Sequence, residues 1–405
     1  MNRGRLIFSQ LFDFLPKREF QRCVAKYDGN KHCRTFSCWD QFLCLAFAQL
    51  TYRESLRDIE TCLRAIGIKL YQLGIKGKVS RSTLADANNK RSWLIYYEFA
   101  QIVIQRAQKL YAVSGNDTEQ QSFLSELKGA AYCLDASVID LCLSLFPWAH
   151  YTNQGKGRAA IKLHTLLNLQ TKIPSFFTVT SARTYELQVL DTLALEAGAF
   201  YVMDRGYFDW ERLFRIHQSS AFFLIRSKNQ IVLRRLYSRP VSADAKQASI
   251  RSDHVVVTAS SRGRGHRKFP QQLRRIRYYD LEKHKSLVFL TNNFELQAET
   301  IAQLYKSRWQ IELFFKWIKQ HLRIKAFYGN TENAVKTQIC IAVTVYVMIA
   351  IVRKTLRLPH TLYTVLQILS IVVIEKTPLK SAFAKDFYYP EQEQQEKQLI
   401  LPIFK

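Results

Sequence analysis

Apolar residues recur at helical spacing along much of this chain, most clearly over 304–319, a run without glycine or proline. At about 100° per residue, Tyr305, Arg308, Glu312 and Lys319 fall within an arc of roughly 60°. Leu304, Ile311, Ile318 and Leu322 form an apolar stripe beside them. One edge of the predicted helix therefore packs, while its neighbour presents an acid, two cations and a phenol. Upstream, residues 1–118 read as helical and basic. A helical period over 39–65 turns Phe42, Leu45, Ala46, Leu50, Leu56, Ile59 and Leu63 inward. Ser80 is the expected N-cap of a further helix. A turn with Asn88, Asn89, Lys90 and Arg91 leads into an apolar helix over 93–110.

The polar stretch 114–119 is the expected boundary, and beyond it the period shortens to that of strands. A short apolar run over 130–134 ends at Asp135, and strands are expected over 159–169 and 176–180. A helix follows over 187–197, then a buried strand over 200–203 that ends at Asp204, then a helix over 210–217. Residues 221–290 are β-rich and carry a charged Arg-Gly loop over 261–268. After Thr331 the chain is helical and apolar to about residue 373. The last thirty residues, rich in Glu and Gln, read as loosely ordered. The alternation defines a mixed α/β class without internal repeats.

Composition sharpens this picture. A chain of 405 residues, 48% hydrophobic, is long enough for two or three domains. Its net charge of +26, from 59 Lys+Arg against 33 Asp+Glu, points to a polyanionic partner, most often nucleic acid. The bland alternative is a passive basic protein, which the well-patterned, aromatic-rich sequence disfavours. Of the 8 cysteines none forms a C-x-x-C pair, and His32, Cys33 and Cys38 fit no zinc spacing well. Free thiols in a reducing compartment are expected. No signal-peptide pattern opens the chain. The longest apolar run, 339–352, falls short of the ~20 residues that span a bilayer, so it reads as a buried helix. A soluble, intracellular protein is the expectation.

Three acids carry the candidate chemistry. Asp135 and Asp204 each follow a short apolar strand, where a rigid backbone presents a carboxylate at the sheet edge. Glu312 lies among the cations of the 304–319 helix. Two Asp and one Glu are hard oxygen donors that suit Mg²⁺ or Mn²⁺ rather than zinc. Two such ions about 4 Å apart can activate a water or a 3′-hydroxyl and stabilise the leaving oxygen of a phosphodiester. A single Asp after a strand is usually a cap or turn residue. Three acids in this order beside a cationic helix are harder to dismiss, and Asp140 and Asp209 rank below them. Arg81, at the start of the helix that Ser80 caps, and Lys90 and Arg91, in the turn before the next, either let a helix enter a groove and touch phosphates or belong to an ordinary solvated face. Arg262 and Arg264 either grip phosphates or are simply solvated.

The spacing Tyr305-x2-Arg308-x3-Glu312-x6-Lys319 resembles the Y-R-E-K signature of bacterial DDE transposases of insertion-sequence family four. Asp204-Arg205-Gly206-Tyr207 resembles that family's second-aspartate motif, D-x-G-[YF]. Leu134-Asp135-Ala136-Ser137 resembles its first, with Ala136 where a hydroxyl residue is expected. Residues 82–88 resemble the amino-terminal domain of one branch. The resemblance implies an RNase H-like catalytic domain over 128–355, interrupted between Asp204 and Glu312 by the β-rich insertion 221–290. An all-α DNA-binding domain over 1–118 would precede it, and a C-terminal helix and tail over 356–405, suited to dimerisation, would follow.

It further implies that Asp135, Asp204 and Glu312 hold two Mg²⁺ or Mn²⁺ ions, and that Arg308 and Lys319 bind phosphates flanking the scissile bond, Lys319 on the 5′ side. Tyr305 would add a backbone contact, with Lys316 and Arg205 among the DNA-binding residues. Trp309 either stacks on a displaced base or packs in the core. The expected activity is cut-and-paste transposition by a homodimer acting on double-stranded inverted repeats and target DNA, in the bacterial cytoplasm at the nucleoid and without membrane involvement. A hairpin intermediate belongs to the resemblance alone. Two rivals remain: a metal-dependent nuclease that cuts without joining, and a catalytically silent DNA-binding derivative.

Overall fold

The computed structural model describes residues 4–113, 122–153, 155–228, 231–258, 269, 271–321 and 327–384. Its helices are α1 (Ile7–Leu11), α2 (Lys17–Lys26), α3 (Cys38–Leu50), α4 (Leu56–Ile66), α5 (Lys69–Gln72), α6 (Arg81–Lys90), α7 (Leu94–Val113), α8 (Ser122–Ser125), α9 (Glu186–Thr192), α10 (Trp210–Gln218), α11 (Ala243–Gln247), α12 (Ala298–Lys306), α13 (Trp309–His321), α14 (Glu332–Thr355), α15 (Leu362–Val372) and α16 (Leu379–Ala384). Its strands are β1 (Ala131–Leu141), β2 (His150–Asn153), β3 (Lys156–Asn168), β4 (Pro174–Ser181), β5 (Phe200–Met203), β6 (Phe222–Arg226), β7 (Leu233–Ser238), β8 (Ile250–Thr258), β9 (Leu273–Asp280) and β10 (Lys285–Thr291).

The strands form one mixed sheet in the order β2-β3-β1-β5-β6-β10-β9-β8-β7, with β4 on the other side of part of β3. β3 pairs antiparallel with both β1 and β4, whereas β1, β5 and β6 are parallel to one another. β10 then pairs antiparallel with β6, and β9, β8 and β7 continue the antiparallel pattern. The β-rich region expected over 221–290 is thus not set apart: β6 belongs to the parallel centre, and the antiparallel extension is a continuation of the same sheet.

Local signals explain several element boundaries. Ser80 caps α6 as expected, accepting from the Thr83 amide at 3.2 Å. The helix expected over 39–65 is broken into α3 and α4. Thr51 returns its hydroxyl to the Phe47 carbonyl at 2.7 Å, Tyr52 takes φ +57°, and Ser55 caps the new helix through the Asp58 amide. The helix expected over 187–197 ends at Thr192.

The apolar run 339–352 lies within α14, which starts just after Thr331 and is buried, as expected. By length and composition α14 can cross a membrane, yet 94% of its apolar window is buried inside the protein. Helices from both ends of the chain wrap it. Tyr111 on α7 donates to the Ala350 carbonyl at 3.0 Å, and Asn333 accepts from the Trp93 amide at 3.1 Å while donating to the Asn88 carbonyl at 2.8 Å. The Ile7 and Phe8 amides donate to Glu375 and Val373, both at 2.9 Å. The N-terminal helices therefore share a core with the C-terminal ones. They also cover the sheet, where the Tyr97 hydroxyl reaches the Phe177 carbonyl at 3.2 Å.

One buried group makes the sheet pH-sensitive. His164 on β3 is fully buried and its Nε2 meets the Thr180 hydroxyl at 2.8 Å. Burial, helped by Lys162, holds its pKa down to about 4. The unfolded chain takes up that proton near pH 6.5, before the folded one does. The stabilisation is therefore whole above pH 6.5 and is lost as pH falls toward 4, by up to about 3 kcal/mol. The difference in urea midpoint between the native chain and His164→Gln, compared at pH 7.5 and pH 5, is expected to show this slope, since groups shared by the two chains cancel.

Candidate active site

Sheet register assembles the site. Leu134 on β1 lies opposite Met203 on β5, and Met203 lies opposite Ile225 on β6. The residues that follow these pairs are Asp135 within β1, Asp204 just past the end of β5, and Arg226 at the end of β6, so the register brings the three to the same edge of the parallel strands. Asp135 is not at a strand end, as its apolar run suggests. β1 continues to Leu141, paired with β3, and only the pairing with β5 stops at Leu134. Asp135 accepts its own neighbour's amide, from Ala136, at 2.8 Å. Asp204 caps the tight turn Arg205–Tyr207 by accepting the Arg205 amide.

The 304–319 segment reaches this edge in two pieces rather than one. Helical bonding tightens at Ser307 and Arg308, where the Arg308 and Ile311 amides each reach back three residues, to Tyr305 and Arg308, both at 3.1 Å. The Ser307 hydroxyl closes on the Leu304 carbonyl at 2.7 Å. Leu304, Ile311 and Ile318 are fully buried, as the apolar stripe requires, while Leu322 lies outside the described residues. Across the break Arg308 still faces Glu312. Its Nη1 donates to Asp135 Oδ2 at 3.2 Å and its Nη2 to Glu312 Oε1. Lys319 donates to the Val138 carbonyl on β1 at 2.6 Å. Asp135, Ser137, Glu312, Lys316 and Lys319 line an open cavity of about 400 Å³. Tyr305 is buried with its ring 4.4 Å from that of Phe289, and Trp309 is half exposed.

The electrostatics follow from burial. Desolvation pushes the Asp135 carboxyl up to about 6, and Asp204 and Glu186 add to the rise; the Ala136 amide and Arg308 oppose it. Burial also pushes the Tyr305 hydroxyl up to about 12. A crowded acid of this kind gains from a nearby cation. Three carboxylates are the donor set that Mg²⁺ takes, so the residues fit such an ion by chemistry. Among the described residues, however, no three metal-ligating side chains stand close enough to hold one ion as they are. The guanidinium of Arg308 joins Asp135 to Glu312 instead.

The remaining expected contacts divide. Arg81 and Lys90 are exposed on α6, and Lys90 pairs loosely with Asp86 at 3.7 Å. Arg91 is turned inward: it donates to the Ser37 and Phe36 carbonyls, Gln41 and the Cys33 sulfur, and lies over the Phe36 ring. Arg205 is exposed beside Asp204, while Arg262 and Arg264 lie outside the described residues. The eight cysteines are free.

Three residues near the acids escape a reading of the sequence. Arg226 owes its place to strand pairing. Glu186 opens α9 and pairs with Lys162 at 3.4 Å. Tyr207 is buried, its hydroxyl without a hydrogen-bond partner among the described residues and held far above its usual pKa by burial and then by Asp135 and Glu186. Only Tyr207 carries a local signal, its place in the D-x-G-[YF] segment.

An acid cluster flanked by cations suits phosphodiester chemistry. Residues 127–348 match the family described as Transposase DDE domain, more than half the chain, and residues 3–76 match a Domain of unknown function (DUF4372). A protein of Sinorhizobium fredii named as a transposase is 30% identical over 276 residues, covering 68% of this chain and 72% of its own. One of Geobacillus stearothermophilus, named for the transposase of insertion sequence element IS5377, is 29% identical over 53% of this chain and 55% of its own. One of Synechocystis, named for the transposase of element IS4SA, is 23% identical over 69% and 73%. The chain belongs to the DDE transposase family. Its activity is that of a transposase, DNA cleavage followed by strand transfer.

Proposed function

We propose that this chain excises its own insertion element by a cut-and-paste route, pairing two inverted-repeat ends in a homodimeric complex and joining the freed 3′-hydroxyls to target DNA. The observation that carries this reading is the parallel pairing of β1 with β5, which ends at Leu134 and Met203, the residues just before Asp135 and Asp204, with Arg308 linking Asp135 to Glu312. The strand order β4-β3-β1-β5-β6, antiparallel and then parallel, supports an RNase H-like core. The antiparallel strands β7 to β10 are the insertion within it. The Y-R-E-K spacing supports a place in insertion-sequence family four. The chain works in the bacterial cytoplasm, on DNA of the nucleoid.

Asp135, Asp204 and Glu312 would hold two Mg²⁺ or Mn²⁺ ions. When bound, these supply a Lewis acid for the attacking oxygen and another for the leaving oxygen. Arg308, Lys316 and Lys319 offset charge on the phosphates flanking the cut, with Lys319 on the 5′ side. Tyr305, fixed against Phe289, sets the height of this helix edge over the sheet. The exposed face of Trp309 offers a stacking surface for an unpaired base. Arg81, Lys90 and Arg205, all exposed, add backbone contacts.

A supercoiled plasmid carrying the element's inverted repeats is expected to be nicked in Mg²⁺, and pre-cut ends to be joined to target DNA. Nicking without joining favours the nuclease reading. Binding without either favours the silent derivative. The two rivals are thereby separated in one preparation.

A further inference from the structure

Arg308 holds a position that binding a substrate phosphate does not require. Its guanidinium spans two acids that lie 173 and 4 residues away, Asp135 on β1 and Glu312 on α13. Asp204 adds negative charge from the adjacent strand. The backbone of Arg308 is pinned, its amide on Tyr305 and its carbonyl facing the Cys133 thiol at 3.8 Å. The long side chain is therefore the part free to move. A guanidinium and a divalent ion would both offset the repulsion among these carboxylates, and both need the same carboxylate oxygens.

We propose that Arg308 is the resident counter-ion of the acid cluster, which a divalent metal must displace, so that metal and DNA bind cooperatively when phosphate draws Arg308 off the acids. This rests on the reading of Asp135, Asp204 and Glu312 as the metal-holding acids. It assigns Arg308 two successive partners, carboxylates in the free protein and phosphate in the complex. Planar, multidentate donors suit both. Linkage then requires metal to raise DNA affinity by the same factor by which DNA raises metal affinity.

The test counts bound Mn²⁺ by electron paramagnetic resonance on the full chain. Without DNA, Arg308→Gln is expected to bind Mn²⁺ about tenfold more tightly than the native chain. Lys316→Gln removes a cation lining the same cavity but bonded to neither acid, and it should change the affinity less than about threefold. Saturating duplex DNA should tighten Mn²⁺ binding to the native chain by about tenfold and leave Arg308→Gln nearly unchanged. An unchanged or weaker Mn²⁺ affinity in Arg308→Gln overturns the proposal. So do equal gains from both variants, which would mean a general field rather than a displaced partner. Asp135→Asn separates the levels: if it binds Mn²⁺ as the native chain does, the reading of the acids as metal ligands fails, and this proposal with it. Should thermal melting show Arg308→Gln unfolded, Arg308→Lys serves instead. Its single ammonium cannot span both carboxylates, so an intermediate gain is expected and no gain refutes.

Discussion

Glu312→Gln is expected to lower cleavage of an inverted-repeat end in Mg²⁺ by of order 10³-fold or more, with end binding changed less than about threefold. The substitution keeps the shape of the side chain and removes one charged oxygen donor. The helix that carries it, α13, is held by Ile311 and Ile318, both fully buried, so its position over the sheet does not depend on residue 312. The Glu312 side chain is 58% exposed and meets Arg308 from the solvent side, so folding should be unaffected. Phosphate contacts through Lys316 and Lys319 remain. Single-turnover cleavage of a labelled end, alongside gel-shift binding in Ca²⁺ or EDTA, separates the two effects. A parallel fall in binding and cleavage would sink the assignment, because it would make Glu312 a docking residue.

What the sequence reveals of this site depends on how local each signal is. The strand over 200–203 and the helix from Trp210 are visible because four apolar residues, a turn and a capping Asp209 are contiguous. The apolar stripe and the pairing of Arg308 with Glu312 are visible because four-residue spacing survives even across the break at Ser307. The break itself is not, since neither Ser307 nor Arg308 disfavours helix strongly. Nor is the continuation of β1 past Asp135 to Leu141, whose partners on β3 run from His164 back to Ala159. Arg226 is the plainest case. Nothing around it marks it, and only the parallel registers β1 to β5 and β5 to β6 bring it to the same edge as the acids. Arg91 shows the reverse: its basic, turn-adjacent setting suggests a surface contact, but Ser37, Phe36 and Gln41, some fifty residues upstream, take up its donors.

The largest stability effect is expected far from the acids, at Asp253→Ala. Arg274 and Asp253 are both almost fully buried, between β9 and β8, with Nε and Nη2 of the arginine on the carboxylate at 3.0 and 2.7 Å. A third donor, Nη1, reaches the Leu296 carbonyl, in the loop that leads into α12. Removing Asp253 leaves a buried guanidinium without its counter-charge, since Arg239 at 3.9 Å is itself a cation. The cost should be about 3–5 kcal/mol, read as a fall in the urea midpoint.

Replacing both partners, Asp253→Leu with Arg274→Met, removes the unpaired charge as well as the pair, so most of the loss should return. It should not all return, because the Leu296 carbonyl then lacks a donor. The double variant should also retain less cleavage activity than its stability implies. The same arginine fixes the turn from the sheet into α12, the helix that delivers Arg308 to Asp135. If the double variant is as unstable as Asp253→Ala, the pair is not isolated from its surroundings and the cycle must be read as disrupted packing instead.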